Sequence, residues 1–251
     1  MTARVSVELL PRDAASLDAQ LEELAAIGGP ERVDTVNLPD VLRFGVRSWE
    51  AAARVAAEGY RVVPHLRAID VDPTRPPAFL DALDTAGVGE VLVVAGDAPA
   101  DLSRPVYATD SVALIRRLKA LRPDWRVYAA LDPYRTDFVS ERRYLDRKIE
   151  AGADGVFTQP FFDVRLAEIW AEWTDDLTVP RFWGATSVTS ERSARYWTTR
   201  NRAVLPAGFV PTLAHSRDVA RRLAAFARGR GDGVYFMPIR ASVRAYLDGV
   251  V

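Results

Sequence analysis

Eight short apolar, β-branched runs recur along this chain, with stretches between them whose apolar residues repeat with the helical period. The strand candidates are Arg4–Leu10, Val33–Leu38, Tyr60–Leu66, Glu90–Ala95, Arg126–Leu131, Gly155–Gln159, Val179–Gly184 and Gly233–Pro238. The helix candidates are Ala14–Ile27, Ser48–Glu58, Arg75–Ala86, Asp110–Leu121, Phe138–Ala151, Val164–Trp173, Ser190–Arg200 and His215–Ala227. Strands alternating with helices of this length build βαβ units and a parallel sheet. Eight such units in 251 residues predict a closed (β/α)8 TIM barrel, an α/β fold in a single domain spanning 1–251. Two connections are irregular: a longer loop through Asp97–Asp110, and an extra segment at Asn201–Pro211.

Barrel strands bring their carboxyl ends to one rim, so polar residues at those ends converge. Here they are Glu8, Asn37, His65, Asp97, Asp132, Gln159 and, beyond the last strand, Arg240. Glu8 lies within the apolar run Val5-Ser6-Val7-Glu8-Leu9-Leu10, where an ionised carboxylate is costly to bury. Burial raises its pKa and suits it to general acid work near neutral pH; the alternative is a structural ion pair with an arginine. His65, after Pro64, reads first as a hydrogen-bonded core histidine. In Val93-Val94-Ala95-Gly96-Asp97 a glycine turn lets backbone approach a ligand and presents an acceptor. Gln159 ends the run Gly155-Val156-Phe157-Thr158-Gln159, with Pro160 expected to stop the strand. Its amide both donates and accepts, which suits the amide-like edge of a heterocycle.

Composition removes several function classes. The net charge of −1 leaves no electrostatic footprint for nucleic acid. The absence of cysteine excludes thiol catalysis and Cys-ligated metal sites, and the two histidines, His65 and His215, are too few to support a metal centre. No apolar run approaches a membrane span and no secretory leader pattern opens the chain, so a cytoplasmic protein with no membrane partner is expected. Neither a G-x-G-x-x-G fingerprint nor a P-loop is present. Of 33 basic residues only Lys119 and Lys148 are lysines, which draws attention to Lys148 on the helix before Gln159.

Taken in order, several segments resemble the methylenetetrahydrofolate reductase family in its short, single-barrel bacterial form. They are Val5-Ser6-Val7-Glu8 with Pro11, Pro64-His65-Leu66, Gly96-Asp97, Tyr107-Ala108-Thr109-Asp110, Arg147-Lys148, Ala151-Gly152-Ala153 and Thr158-Gln159-Pro160-Phe161-Phe162-Asp163. The last is the most specific, and Arg240-Ala241-Ser242 matches more loosely. The resemblance implies reduction of 5,10-methylenetetrahydrofolate to 5-methyltetrahydrofolate, with Glu8 delivering the proton that opens the imidazolidine ring. It implies that Asp97 and Gln159 hold the pterin edge, with Asn37 and Arg240 also on the substrate. His65, Tyr107, Lys148 and Trp197 would line the cofactor side, although Trp197 taken alone reads first as helix core.

The departures fall on the flavin contacts. Ala95 stands where the family has the arginine of an Arg-Gly-Asp turn, Asn37 where a threonine is usual, and Ala130-Leu131-Asp132-Pro133-Tyr134-Arg135 replaces a Tyr-Pro and histidine segment. An arginine that grips a diphosphate through two parallel hydrogen bonds has no substitute in alanine. FAD is therefore doubtful, and the expected donor is NADH or NADPH acting directly on the folate, as in an actinobacterial branch of the family. Phe182 and Trp183, at the end of the seventh strand, would fill the space a flavin ring takes. The rival readings are an FAD enzyme whose site is rebuilt by arginines between 135 and 147, and a non-catalytic paralogue that binds folate or nucleotide. The partners expected are a reduced folate and a nicotinamide nucleotide, with the oligomeric state left open.

Overall fold

A computed structural model of the protein describes residues 3–99 and 104–251, so residues 100–103 of the long loop and Met1-Thr2 lie outside the described residues. The chain runs β1 (Val5–Glu8), α1 (Ala14–Ala25), β2 (Thr35–Leu38), α2 (Ser48–Ala56), β3 (Arg61–Arg67), α3 (Phe79–Thr85), β4 (Glu90–Val94) and α4 (Ser111–Leu121). It continues through β5 (Arg126–Leu131), α5 (Phe138–Glu150), β6 (Gly155–Pro160), α6 (Val164–Trp173), β7 (Arg181–Thr186), α7 (Glu191–Arg200), α8 (Leu213–Arg230), β8 (Gly233–Met237) and α9 (Val243–Leu247). The strands pair in sequence order, and β8 closes on β1, giving the expected parallel barrel. Rim loops are fixed by helix caps: Asp110, Asp137 and Asp163 each accept the backbone N–H of the first turn of α4, α5 and α6.

Alternation along each strand sends every second side chain into the barrel, where they stack in layers. On the floor Arg4 donates to Thr35 at 2.8 Å and to the Tyr128 hydroxyl at 2.9 Å, and pairs with Glu90 at 3.0 Å. Above it, Phe157 and Phe182 stack with centroids 4.1 Å apart, Tyr128 meets both edge-on, and Val63 and Leu92 complete the layer. These rings fit because their ladder partners are glycines: Tyr128 lies opposite Gly155, and Phe182 opposite Gly233. A Cβ on Gly233 would sit 2.5 Å from the Phe182 ring. The top layer carries the polar residues.

Most boundaries move by one to three residues from the sequence reading, and three of the shifts have a clear local cause. β6 runs on through Pro160 rather than stopping before it, because the ladder to β7 shifts register between Phe157 and Pro160. At that bulge the missing proline N–H costs no ladder bond, and the Thr158 hydroxyl accepts the Gly184 N–H at 2.8 Å instead. β7 begins two residues later than expected, at Arg181, after Pro180. α3 begins only at Phe79, because Pro76 and Pro77 hold their predecessors extended. β1 is confined to Val5–Glu8, and α9 went unread in the sequence.

Candidate active site

Glu8 is the last residue of β1 and points up into the mouth of the barrel, where the Tyr235 hydroxyl of neighbouring β8 donates to its carboxylate. Apolar surroundings push the Glu8 pKa from an ordinary 4.5 up to about 7, an effect the hydrogen bond from Tyr235 partly offsets. Burial, reinforced by the facing carboxylate, also holds the Tyr235 phenol well above its usual range, so it stays a donor.

Beside this pair runs a second polar chain. Ser6 Oγ donates to Asn37 Oδ1 at 2.6 Å, and Asn37 Nδ2 lies 3.2 Å from His65 Nε2. With Asn37 oriented by Ser6, its amide donates and the imidazole accepts, leaving the other ring nitrogen protonated. Burial drives the His65 pKa down to about 3, so the ring is neutral. It therefore serves as an uncharged wall of the site. The core-histidine reading and the pocket reading both hold for it.

Glu8, His65, Tyr235, Met237, Gln159 and Trp197 line one cavity of about 210 Å³ over the aromatic layer. Gln159 reaches it because the bulge at Pro160 leaves its side chain exposed at the mouth. Trp197 joins the wall from α7 while packing edge-on against Phe162 at 5.3 Å, so it is at once core and lining.

The other expected site residues go elsewhere. Asn37 is fully buried beneath the rim and acts on His65. Asp97 is exposed and borders a neighbouring polar cavity of about 420 Å³ with Asp132, Tyr134, Arg135, Tyr196, Arg200, Asn201 and Arg202. The glycine before it has φ +83°, and a Cβ there would come within 2.7 Å of Ile69, so what Gly96 lets pass is the β3 loop. Tyr107 hydrogen-bonds Ile69 through its backbone and lines a third cavity, of about 290 Å³, with Arg47, Trp49 and Arg67. Arg240 is exposed in the loop after β8 with a left-handed φ of 57°.

Lys148 is the clearest departure. Its side chain is buried behind β5, with Nζ donating to the Ala130 carbonyl at 2.6 Å and lying 4.1 Å from the Tyr144 ring. Arg135 also stacks on that ring at 4.4 Å and is tied to Glu141 at 2.5 Å. Burial lowers the Lys148 pKa to about 8. Neither cation is presented to the cavity that holds Glu8.

Phe182 and Trp183 do not fill rim space. The two-residue offset of β7 puts Phe182 in the middle layer, and Trp183 faces outward, donating to Asp232 at 2.9 Å and meeting Phe226 of α8. Sequence reading passed over Tyr235 as a site residue. Its only signal was a hydroxyl-bearing ring in the inward register of the last strand.

Residues 46–219 match the family model described as methylenetetrahydrofolate reductase. The chain belongs to that family. Among curated relatives, it is 29% identical over 107 residues to the 5,10-methylenetetrahydrofolate reductase of Escherichia coli (strain K12), a match covering 42% of this chain and 36% of that protein. To the enzyme of the same name from Salmonella typhimurium it is 31% identical over 109 residues, again 42% of this chain and 36% of the relative. Among solved structures, an uncharacterized protein from Clostridium thermocellum that binds two copies of 5-methyl-5,6,7,8-tetrahydrofolic acid superposes with a TM-score of 0.65. That likeness is 12% identical and covers 99% of this chain and 94% of the other. A 2,3-dimethylmalate lyase of the PEP mutase/isocitrate lyase superfamily follows at TM-score 0.57 and 14% identity, over 94% and 74% of the two chains. At such identities the structural likenesses show the barrel alone. Among the described residues, no group of three or more His, Asp or Glu side chains is arranged to hold a metal ion, and no helix is long and apolar enough to cross a membrane.

Proposed function

We propose that this protein reduces 5,10-methylenetetrahydrofolate to 5-methyltetrahydrofolate with hydride taken directly from NADH or NADPH. The observation that carries the reading is Glu8: a carboxyl poised near neutrality, beside a phenol donor and across one small cavity from the Gln159 amide. Protonation of N10 by Glu8 breaks the N10–methylene bond and leaves an N5 iminium. Hydride then adds to the exocyclic carbon, so one proton and one hydride convert the methylene bridge to a methyl group and the nicotinamide leaves oxidised. An acid with a pKa near the working pH serves best in such a step. Tyr235 steadies the carboxylate that remains, and Gln159 meets the amino-pyrimidine edge with paired donor and acceptor.

The flavin fits poorly. The residues that would receive it are withdrawn: Lys148 is spent on Ala130 and Tyr144, Arg135 on Glu141 and Tyr144, and Ala95 offers no guanidinium. No step is therefore routed through a flavin. The test is Glu8→Gln: turnover should fall by about 100-fold or more while 5-methyltetrahydrofolate still binds. Turnover within a few-fold of wild type would remove Glu8 as the acid.

A further inference from the structure

The polar cavity beside the active-site mouth has no task in the chemistry above, yet it is the larger of the two. Three arginines border it. Arg135 is tied to Glu141, whereas Arg200 and Arg202 form no ion pair with any carboxylate among the described residues. Arg202 also holds a left-handed φ of 56°, and the other non-glycine residue with positive φ among those described is Arg240, in the rim loop after β8. Left-handed backbone is uncommon for a long side chain and persists where the surroundings fix a functional geometry. Asp97 and Asp132 share the lining with the arginines, as does Tyr196, which is 52% exposed. The cavity abuts the active site: Tyr134 packs in one cluster with Trp197, which lines both that cluster and the Glu8 cavity.

We propose that this cavity receives the diphosphate and a ribose of the nicotinamide dinucleotide, an inference that rests on the reductase reading. Arg200 and Arg202 would fork onto the phosphate oxygens, the carboxylates of Asp97 and Asp132 accept from ribose hydroxyls, and Tyr196 offers a flat apolar face. From there the nicotinamide reaches past Trp197 to the carbon above Glu8. A polyglutamate tail on the folate would also seek the arginines, but it carries no hydroxyls to donate to the two carboxylates, whereas a nucleotide offers its ribose. The mixed lining therefore favours a nucleotide.

The experiment is calorimetric titration of ADP-ribose, NADH, and the mono- and triglutamate forms of 5-methyltetrahydrofolate into wild type and the Arg200→Ala/Arg202→Asn protein, asparagine being tolerant of left-handed backbone. ADP-ribose and NADH should each weaken by about tenfold or more, with both folates bound as before. The Arg200→Lys/Arg202→Lys protein should recover part of that loss, since it keeps charge but not the fork. Unchanged ADP-ribose binding, no ADP-ribose binding by wild type, a loss confined to the triglutamate, or loss of every ligand in both variants would each overturn the assignment. ADP-ribose binding involves no turnover, so this inference and the reductase reading fail by separate results.

Discussion

Tyr235 and Glu8 face each other across the seam where the last strand closes on the first. The ladder sets Tyr235 opposite Ser6, and the phenol reaches up to the carboxylate two residues further along β1. Barrel closure thus assembles the site, joining residues 227 apart in sequence.

Tyr235→Phe removes a hydrogen bond that favours the ionised carboxyl, so the Glu8 pKa should climb above about 7. A general acid works only while protonated, so activity falls as pH rises through that pKa. The alkaline limb of kcat/KM should therefore move to higher pH in the variant. A pH–rate profile checks this; an unmoved or lowered limb would contradict the role given to Tyr235.

Glu8→Gln carries a stability signature of its own. The folded pKa of Glu8 lies near 7 against 4.5 unfolded, so the folded state holds the proton more tightly. Wild type is unpenalised below 4.5, loses stability as pH rises toward 7, and stays lower above it. The glutamine variant lacks this loss and should exceed wild type at pH 8 by up to about 3 kcal/mol, with little difference at pH 4. Urea unfolding at the two pH values measures it, and a pH-independent difference would refute the buried-acid assignment.

Gln159→Glu keeps the acceptor but loses the donor and adds charge. Affinity for 5-methyltetrahydrofolate should drop by about tenfold or more, because a buried ring edge is left unpaired, while ADP-ribose binding is spared. Fluorescence titration with each ligand separates the two effects. Equal losses for both would mean that Gln159 supports the mouth and does not contact the pterin.

Two glycines make a paired test of the packing. Gly233→Ala drives a methyl into the Phe182 ring and should cost about 1–3 kcal/mol. Gly229→Ala, in α8 with open space around its Cβ position, should stabilise by about 0.5–1 kcal/mol. Denaturant midpoints decide, and similar values for both would contradict the tight aromatic layer.

The barrel was legible because period and count act locally: eight apolar runs with helices between them leave one economical closure. The rim was legible as far as strand ends define it, which covers Glu8, His65 and Gln159. It failed where tertiary contacts redirect a side chain. Lys148 reads as a retained, functional lysine until the Ala130 carbonyl and Tyr144 claim it. Asp97 follows its strand correctly, but Arg67 holds its carbonyl at 2.5 Å, and the side chain is left facing the second cavity. Phe182 and Trp183 are adjacent in one strand, so alternation sends only one of them inward: Phe182 enters the barrel and Trp183 turns out to Asp232 and Phe226. Tyr235 was hidden by its type, since an aromatic ring in an apolar strand reads as core.

The most direct measurement is anaerobic oxidation of NADH and NADPH by methylenetetrahydrofolate, with chromophore-free protein, run with and without added FAD. Direct hydride transfer predicts 5-methyltetrahydrofolate formation at the same rate in both arms. Turnover that appears only when FAD is added would contradict the flavin-free mechanism, and no turnover in either arm would contradict the reductase itself.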